Sequence, residues 1–141
     1  MLRLLPVCTA LLLLSFSMPS TDKQADKPLF GTKWKLQSVH NGKDDFTPVG
    51  STAFLRLDAG KNSAGGKGGC NSFGSTVKVD GNKISFSELF STKMYCEGIQ
   101  PIENAYFNAL NKATRYDISG DKLVIYQDGQ EILVFVAVGD F

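Results

Sequence analysis

The chain carries a single histidine, His40, and no Cys-x-x-Cys pair. Structural zinc sites take four Cys or His ligands at characteristic spacings, and no spacing here matches such a template. The lone histidine also gives little basis for a Cys–His nucleophilic pair. His40 stands just before a turn, where an exposed strand-end residue is the plainer reading. A surplus of one charge sign is missing as well. Fifteen Lys and Arg face fourteen Asp and Glu, a net charge of +1. That balance offers no electrostatic footprint for nucleic acid or an anionic membrane surface. No Asn-x-Ser/Thr acceptor and no internal repeat occur. The adjacent Asp44 and Asp45 read as a solvated loop rather than an acid/base pair. Catalytic, metal-binding and cofactor-binding residues are therefore all assigned as none.

What is present fits one domain. The chain has 141 residues, with 43% hydrophobic and 21% charged residues, an ordinary globular balance. Arg3 followed by the apolar run 4–16 reads as a secretory leader. Ser15 and Ser17 supply the small residues for cleavage after Ser17. The run is short of the roughly 20 apolar residues that span a bilayer. Loss of Arg3 would leave fourteen basic against fourteen acidic residues. A lipidated cysteine should follow the apolar stretch and have a small residue before it. Cys8 follows Val7 and the run continues beyond it, so Cys8 belongs to the leader, and membrane association would arise only from its lipidation. The expected organisation is a signal peptide over 1–17, a flexible polar arm over 18–28 and one domain over 29–141.

Within the domain the pattern is mainly β. Residues 33–40 alternate, with Trp34, Leu36 and Ser38 expected on one face, and Asn41-Gly42 marks a turn. Residues 52–58 form a second alternating run. Residues 76–80 and 83–86 flank Gly81-Asn82, a hairpin signature that turns Val77, Val79, Ile84 and Phe86 inward. Residues 91–96 read as extended. Pro101 opens one helix, whose apolar stripe runs through Ile102, Ala105, Tyr106, Ala109, Leu110 and Ala113. Glu103 near its start and Lys112 and Arg115 near its end suit the helix dipole. Three further strands follow at 116–119, 122–126 and 131–138. The last is apolar on both faces and is expected to be central. The fold class is α+β, mainly β: a curved antiparallel sheet or partly open β-barrel of about seven or eight strands, closed by one amphipathic helix. Most of the aromatics, Phe30, Trp34, Phe46, Phe54, Phe73, Phe86 and Phe90, are expected in the core. A few are candidates to line a pocket in a barrel mouth.

Two cysteines, Cys70 and Cys96, remain after the leader, both in short segments that read as strand-like. In an oxidising compartment such a pair most often bonds, and in the chain-entropy account closing this loop stabilises the fold by roughly 3–4 kcal/mol. Two buried thiols acting as small apolar residues are the alternative. A redox-active pair has less support, because neither cysteine precedes a helix N-terminus directly. The glycine-rich run Gly65-Gly66-Lys67-Gly68-Gly69 is not followed by a helix, as a phosphate cradle requires. It reads instead as a twisted or bulged strand passing close to another element.

Five segments carry a family resemblance. They are Gly31-Thr32-Lys33-Trp34-Lys35-Leu36, Gly69-Cys70-Asn71-Ser72-Phe73-Gly74, Ser91-Thr92-Lys93-Met94-Tyr95-Cys96, the helix with Glu103, Phe107 and Leu110, and the ending from Leu123-Val124-Ile125-Tyr126 to Val134-Phe135. Together, from about Leu29 to Val138, they resemble the META domain, also called HslJ-like. The sequence departs at Lys93 and Tyr95, where the family more usually shows Arg or Leu and Ala, and it lacks the lipobox of many lipoprotein members. The resemblance implies a compact antiparallel β domain with one helix. It also implies a link to heat-shock and envelope stress, novobiocin resistance and, in some members, motility, secretion or virulence. It brings no catalytic residue and no cofactor. It marks Gly69, Asn71, Thr92 and Met94, with Cys70 and Cys96, as a structural cluster, in which Asn71 is expected to hold backbone groups at an irregular turn.

The function expected is that of an exported, non-enzymatic accessory domain, periplasmic or secreted and monomeric, engaged in envelope stress or protein interaction. Its partner would be an unknown protein or a small apolar ligand, with no nucleic acid. The alternatives are a small-molecule or lipid-binding β-barrel, a thiol oxidoreductase, and a protease inhibitor acting through a loop such as 43–50.

Overall fold

The computed structural model describes residues 17–18, 22–48 and 52–139. The expected leader, with Cys8, lies outside the described residues apart from Ser17. Nine strands and one helix follow in chain order: β1 (Lys33–His40), β2 (Asp45–Phe46), β3 (Phe54–Asp58), β4 (Ser63–Lys67), β5 (Ser72–Asp80), β6 (Lys83–Ser91), α1 (Gln100–Lys112), β7 (Arg115–Ser119), β8 (Lys122–Gln127) and β9 (Gln130–Val138). All pairings are antiparallel. The order β2-β1-β3-β4-β5-β6-β7-β8-β9, with β9 pairing back onto β1, bends the sheet into a ring.

The ring is regular on one side and parted on the other. β8 and β9 form a long hairpin around Asp128 and Gly129, both at positive φ (48° and 88°), as a tight two-residue turn demands. β9 then pairs with β1 along most of its length, and so lies centrally as expected. On the opposite side β6 and β7 share one register pair, Lys83 with Arg115. Flanking it are bonds from Ile84 N to Thr114 O (3.1 Å) and from Tyr116 N to Asn82 O (2.9 Å). Above that point the strands part, and α1, with Pro101 in its first turn, lies against β1, β6 and β9.

The helix fills the ring. Tyr106 and Leu110 are fully buried among Trp34, Leu55, Leu133 and Phe135. Tyr106 meets Phe73 edge-on at 5.7 Å and Phe135 at 5.9 Å. The Trp34 indole N–H donates to the Leu29 carbonyl (3.0 Å), which satisfies a buried polar atom and ties the entering chain to the core. Within the stretch expected as a free arm, Lys27 N donates to Gly120 O (2.8 Å), and Gly120 N donates to Asp26 Oδ1 (2.7 Å).

Two bulges correct the alternation read from sequence. A register shift between Leu36 and Ser38 puts Trp34, Leu36 and Val39 inside and turns Ser38 outward. A second shift, between Gly74 and Thr76, sets two β6 residues against Ser75, with Glu88 at φ 53°. An extra residue reverses which side chains face the core. Phe86 is therefore buried while Phe90, expected in the core, is 70% exposed. The cysteine segments are corrected too. Cys70 sits in the bend between β4 and β5, and in the 91–96 segment only Ser91 is strand. One strand, the two-residue β2, had no clear sequence signal, and β4 begins two residues before the glycine run that was read as a twisted strand.

Candidate functional site

The irregular side of the ring holds the densest polar cluster. Asn71 is buried in the bend before β5, and its side-chain amide uses all four of its hydrogen-bonding positions. Nδ2 donates to the Met94 carbonyl (3.0 Å) and to Glu103 Oε1 (2.6 Å). Oδ1 accepts from Met94 N (2.7 Å) and from the Thr92 hydroxyl (2.9 Å). The Asn71 side chain thus holds the backbone of a segment more than twenty residues away, rather than its own turn as expected. The Cys70–Cys96 disulfide crosses between the same two segments, with Cα atoms 5.9 Å apart.

Glu103 supplies the third side. Its side chain is 1% exposed. Oε2 accepts from the backbone N–H of Cys70 (2.9 Å) and of Asn71 (2.6 Å). Gln100 Nε2 reaches Oε1 at 3.4 Å. A buried carboxyl without such donors would be costly. Gly68 makes room for it: a Cβ there would lie 2.6 Å from Glu103 and from the Phe107 ring. The close approach expected of the glycine run is thus onto α1 at Gly68 and onto the Phe54 carbonyl of β3 at Gly66. Gly69, at φ 117°, completes the bend.

The cluster expected from sequence thus comes together. Cys70 and Cys96 are bonded, and Asn71, Thr92 and Met94 are joined by hydrogen bonds. Glu103 was missed as its buried anchor. The signal was available: Glu103, Tyr106 and Leu110 follow helical spacing on the buried face, a place for an acid only when backbone donors meet it.

Chemically the cluster clamps rather than reacts. Its sulfurs are oxidised, its amide is saturated and both Glu103 oxygens are occupied. What it presents outward is the segment it holds. Met94 is 58% exposed and Tyr95 78%, with Lys93 exposed beside them. Phe90 lies next to this segment, its ring stacked on Gly74, where a Cβ would come within 2.5 Å. Phe54, Phe73 and Phe90 border an open groove of about 560 Å³ on the outer face of β3, β4 and β5. The ring interior is packed with the core side chains, and this groove is an aromatic concavity on its outside.

A second cluster lies at the end of β1. His40 Nδ1 contacts Asp45 Oδ1 (2.8 Å), while Ser38 Oγ lies 3.2 Å and Glu131 Oε1 3.6 Å from Nε2. The order of contacts is that of a nucleophile, base and orienting carboxylate. Here, however, the Asp45 side chain is 74% exposed, and Glu131 approaches the ring edge that would serve Ser38. The group ties β1 to β2 and β9 at the surface: His40 ends β1 as expected but is half-buried, and the solvated Asp45 belongs to β2 rather than to a loop. Among the described residues Tyr106 has a clear shift in acidity, its phenol raised well above the usual value by burial.

Comparison with known proteins follows these features. The META domain family matches residues 27–139. Among curated proteins none matches the chain. The fold is similar to the NMR structure of a protein from Burkholderia xenovorans, with 24% identity and a TM-score of 0.67, covering 88% of this chain and 99% of that one. It is also similar to a crystal structure of a DUF4847 family protein from Bacteroides vulgatus, with 13% identity and a TM-score of 0.53, covering 80% and 96% of the two chains. At these identities the likeness is one of fold. The family match takes in the strand ring, the clamped segment and the helix that anchors it, and the chain belongs to the META domain family.

Proposed function

We propose that this protein is an exported accessory domain that binds a protein partner through the face formed by residues 90–99. The observation that carries the reading is an exposed apolar set on a fixed backbone. Phe90, Met94, Tyr95 and Ile99 are all exposed within ten residues, on a segment clamped by Asn71 and a disulfide. Clustered exposed apolar side chains mark interaction surfaces, and a segment already ordered loses less entropy when it binds. Export is supported by the apolar leader and by a disulfide suited to an oxidising compartment. The stress-response setting rests on the family resemblance.

The test has two parts. Intact mass of protein exported by its own leader, with and without reduction, should show an unlipidated chain that takes two alkyl groups only after reduction. A photo-crosslinking residue in place of Met94 should then yield a discrete adduct in the native host, and the same residue in place of exposed Asp117 should not. Equal adducts at both positions, or none at either, would sink the reading.

A further inference from the structure

The clamped segment has a specific pattern of free and used backbone groups. Met94 spends both its N–H and its C=O on Asn71. The residues on either side, Lys93 and Tyr95, make no backbone hydrogen bond among the described residues. Thr92, before Lys93, is held by the same Asn71 oxygen that accepts from Met94 N. One buried amide therefore grips the chain on both sides of Lys93 and leaves Lys93 itself unpaired. No residue from Lys93 to Cys96 has a positive φ, and the segment continues directly from β6. An exposed, non-helical stretch with free donors and acceptors on alternate residues is the form in which protease clefts receive a substrate, as an added strand with one side chain in a pocket.

We propose that residues 92–95 form a substrate-like inhibitory loop for a serine protease that cleaves after basic residues, with Lys93 entering its primary specificity pocket. The proposal rests on the partner-binding reading above and names the partner's class. The free Lys93 carbonyl is the group that an oxyanion hole receives, and the Lys93 ammonium suits a pocket with an acid at its base. Attack by the protease serine on the Lys93 carbonyl carbon breaks the Lys93–Met94 bond. The serine proton passes through the protease histidine to the Met94 nitrogen. In an ordinary substrate that amine departs and water follows. Here the amine stays, because Asn71 holds Met94 at both its nitrogen and its carbonyl and the Cys70–Cys96 bond holds the chain two residues on. It attacks the acyl ester, remakes the peptide bond and returns the serine unchanged. The clamp thus favours resynthesis over hydrolysis, by the same proximity that accelerates intramolecular reactions.

The experiment uses the disulfide-bonded mature protein with trypsin and chymotrypsin as probes. The wild-type protein should inhibit trypsin competitively at one-to-one stoichiometry and remain largely uncleaved. Lys93→Ala should weaken that inhibition about 30-fold or more, the scale of a central interface residue. Lys93→Arg should keep it, and Lys93→Tyr should transfer inhibition to chymotrypsin. All three changes are at an exposed position and leave the fold intact. Loss of the disulfide in Cys70→Ala/Cys96→Ala should turn the loop into a substrate cut at Lys93–Met94. No inhibition by the wild type, inhibition indifferent to Lys93, or rapid complete cleavage at Lys93 would overturn the proposal. If any of these occurs while the Met94 crosslink persists, the partner-binding reading survives and only the protease assignment falls. If the crosslink is absent too, both fall.

Discussion

The two sides of the ring are held by different means. On the β8–β9–β1 side, stability is distributed. Ladder hydrogen bonds repeat residue by residue, and the core faces carry interchangeable apolar side chains such as Leu123, Ile125 and Leu133. On the side where β6 and β7 part, it is concentrated. Two side chains, Asn71 and Glu103, and one disulfide hold the β4–β5 bend, the 92–96 segment and the start of α1 together. A ladder keeps its backbone hydrogen bonds when one side chain changes. A clamp loses most of its bonds at once.

The largest expected effect tests that difference. Asn71→Ala strands Met94 and one Glu103 oxygen together and should cost about 3–5 kcal/mol, as losses in buried networks do. Leu133→Ala on the regular side should cost a comparable 2–5 kcal/mol through its cavity. The two should differ in coupling. A double-mutant cycle of Asn71→Ala with Glu103→Ala should show an interaction energy of about 1–3 kcal/mol by denaturant unfolding. Leu133→Ala with Asn71→Ala should be additive to within about 0.5 kcal/mol. Equal coupling in both cycles would erase the distinction between the two sides.

Removing the disulfide should come next, at about 3–4 kcal/mol in the chain-entropy account. Hydrogen exchange after reduction should accelerate in residues 92–103 and stay slow in β8 and β9. Uniform acceleration would mean that the clamp and the ladder unfold as one unit. Smaller again is Gly68→Ala. Its Cβ would press on Glu103 and Phe107, an overpacking cost of about 1–3 kcal/mol. Gly139, where the added Cβ meets nothing within 4 Å, serves as the control, and its alanine variant should be near neutral.

The same contrast governs what the sequence discloses. The regular side is written in short apolar runs and turn dipeptides, so β8, β9 and the Asp128-Gly129 hairpin are legible from local pattern. The clamp is written in long-range pairs. Asn71 and Met94 are 23 residues apart and Asn71 and Glu103 are 32 apart, and no local period records such contacts. The cysteines showed that the two segments belong together, but not that they are loops. The bulges at Leu36/Ser38 and Gly74/Thr76 were illegible for a related reason. An inserted residue leaves the sequence looking alternate while it reverses the faces, and Phe90 moved from expected core to the exposed face by that single step.

The smallest effect at neutral pH belongs to Tyr106, the residue that touches both sides, with Phe73 on the clamp side and Phe135 on the ladder side. Its hydroxyl donates only a long bond of 3.3 Å to the Phe54 carbonyl. Tyr106→Phe should therefore change stability by no more than about 1 kcal/mol near neutrality. In alkali the two forms should separate. Burial raises the Tyr106 pKa in the folded chain, while the unfolded chain titrates near the ordinary value of about 10. Between those two values the unfolded state releases a proton that the folded state keeps. Stability is then complete below about pH 10 and falls as the pH rises above it. Denaturant midpoints measured from pH 8 to pH 11.5 should fall more steeply for the wild-type chain than for Tyr106→Phe. Parallel slopes would mean that the helix swings out of the ring before the phenol ionises. The seam beside α1, rather than the filled core, would then set the limit of stability in alkali.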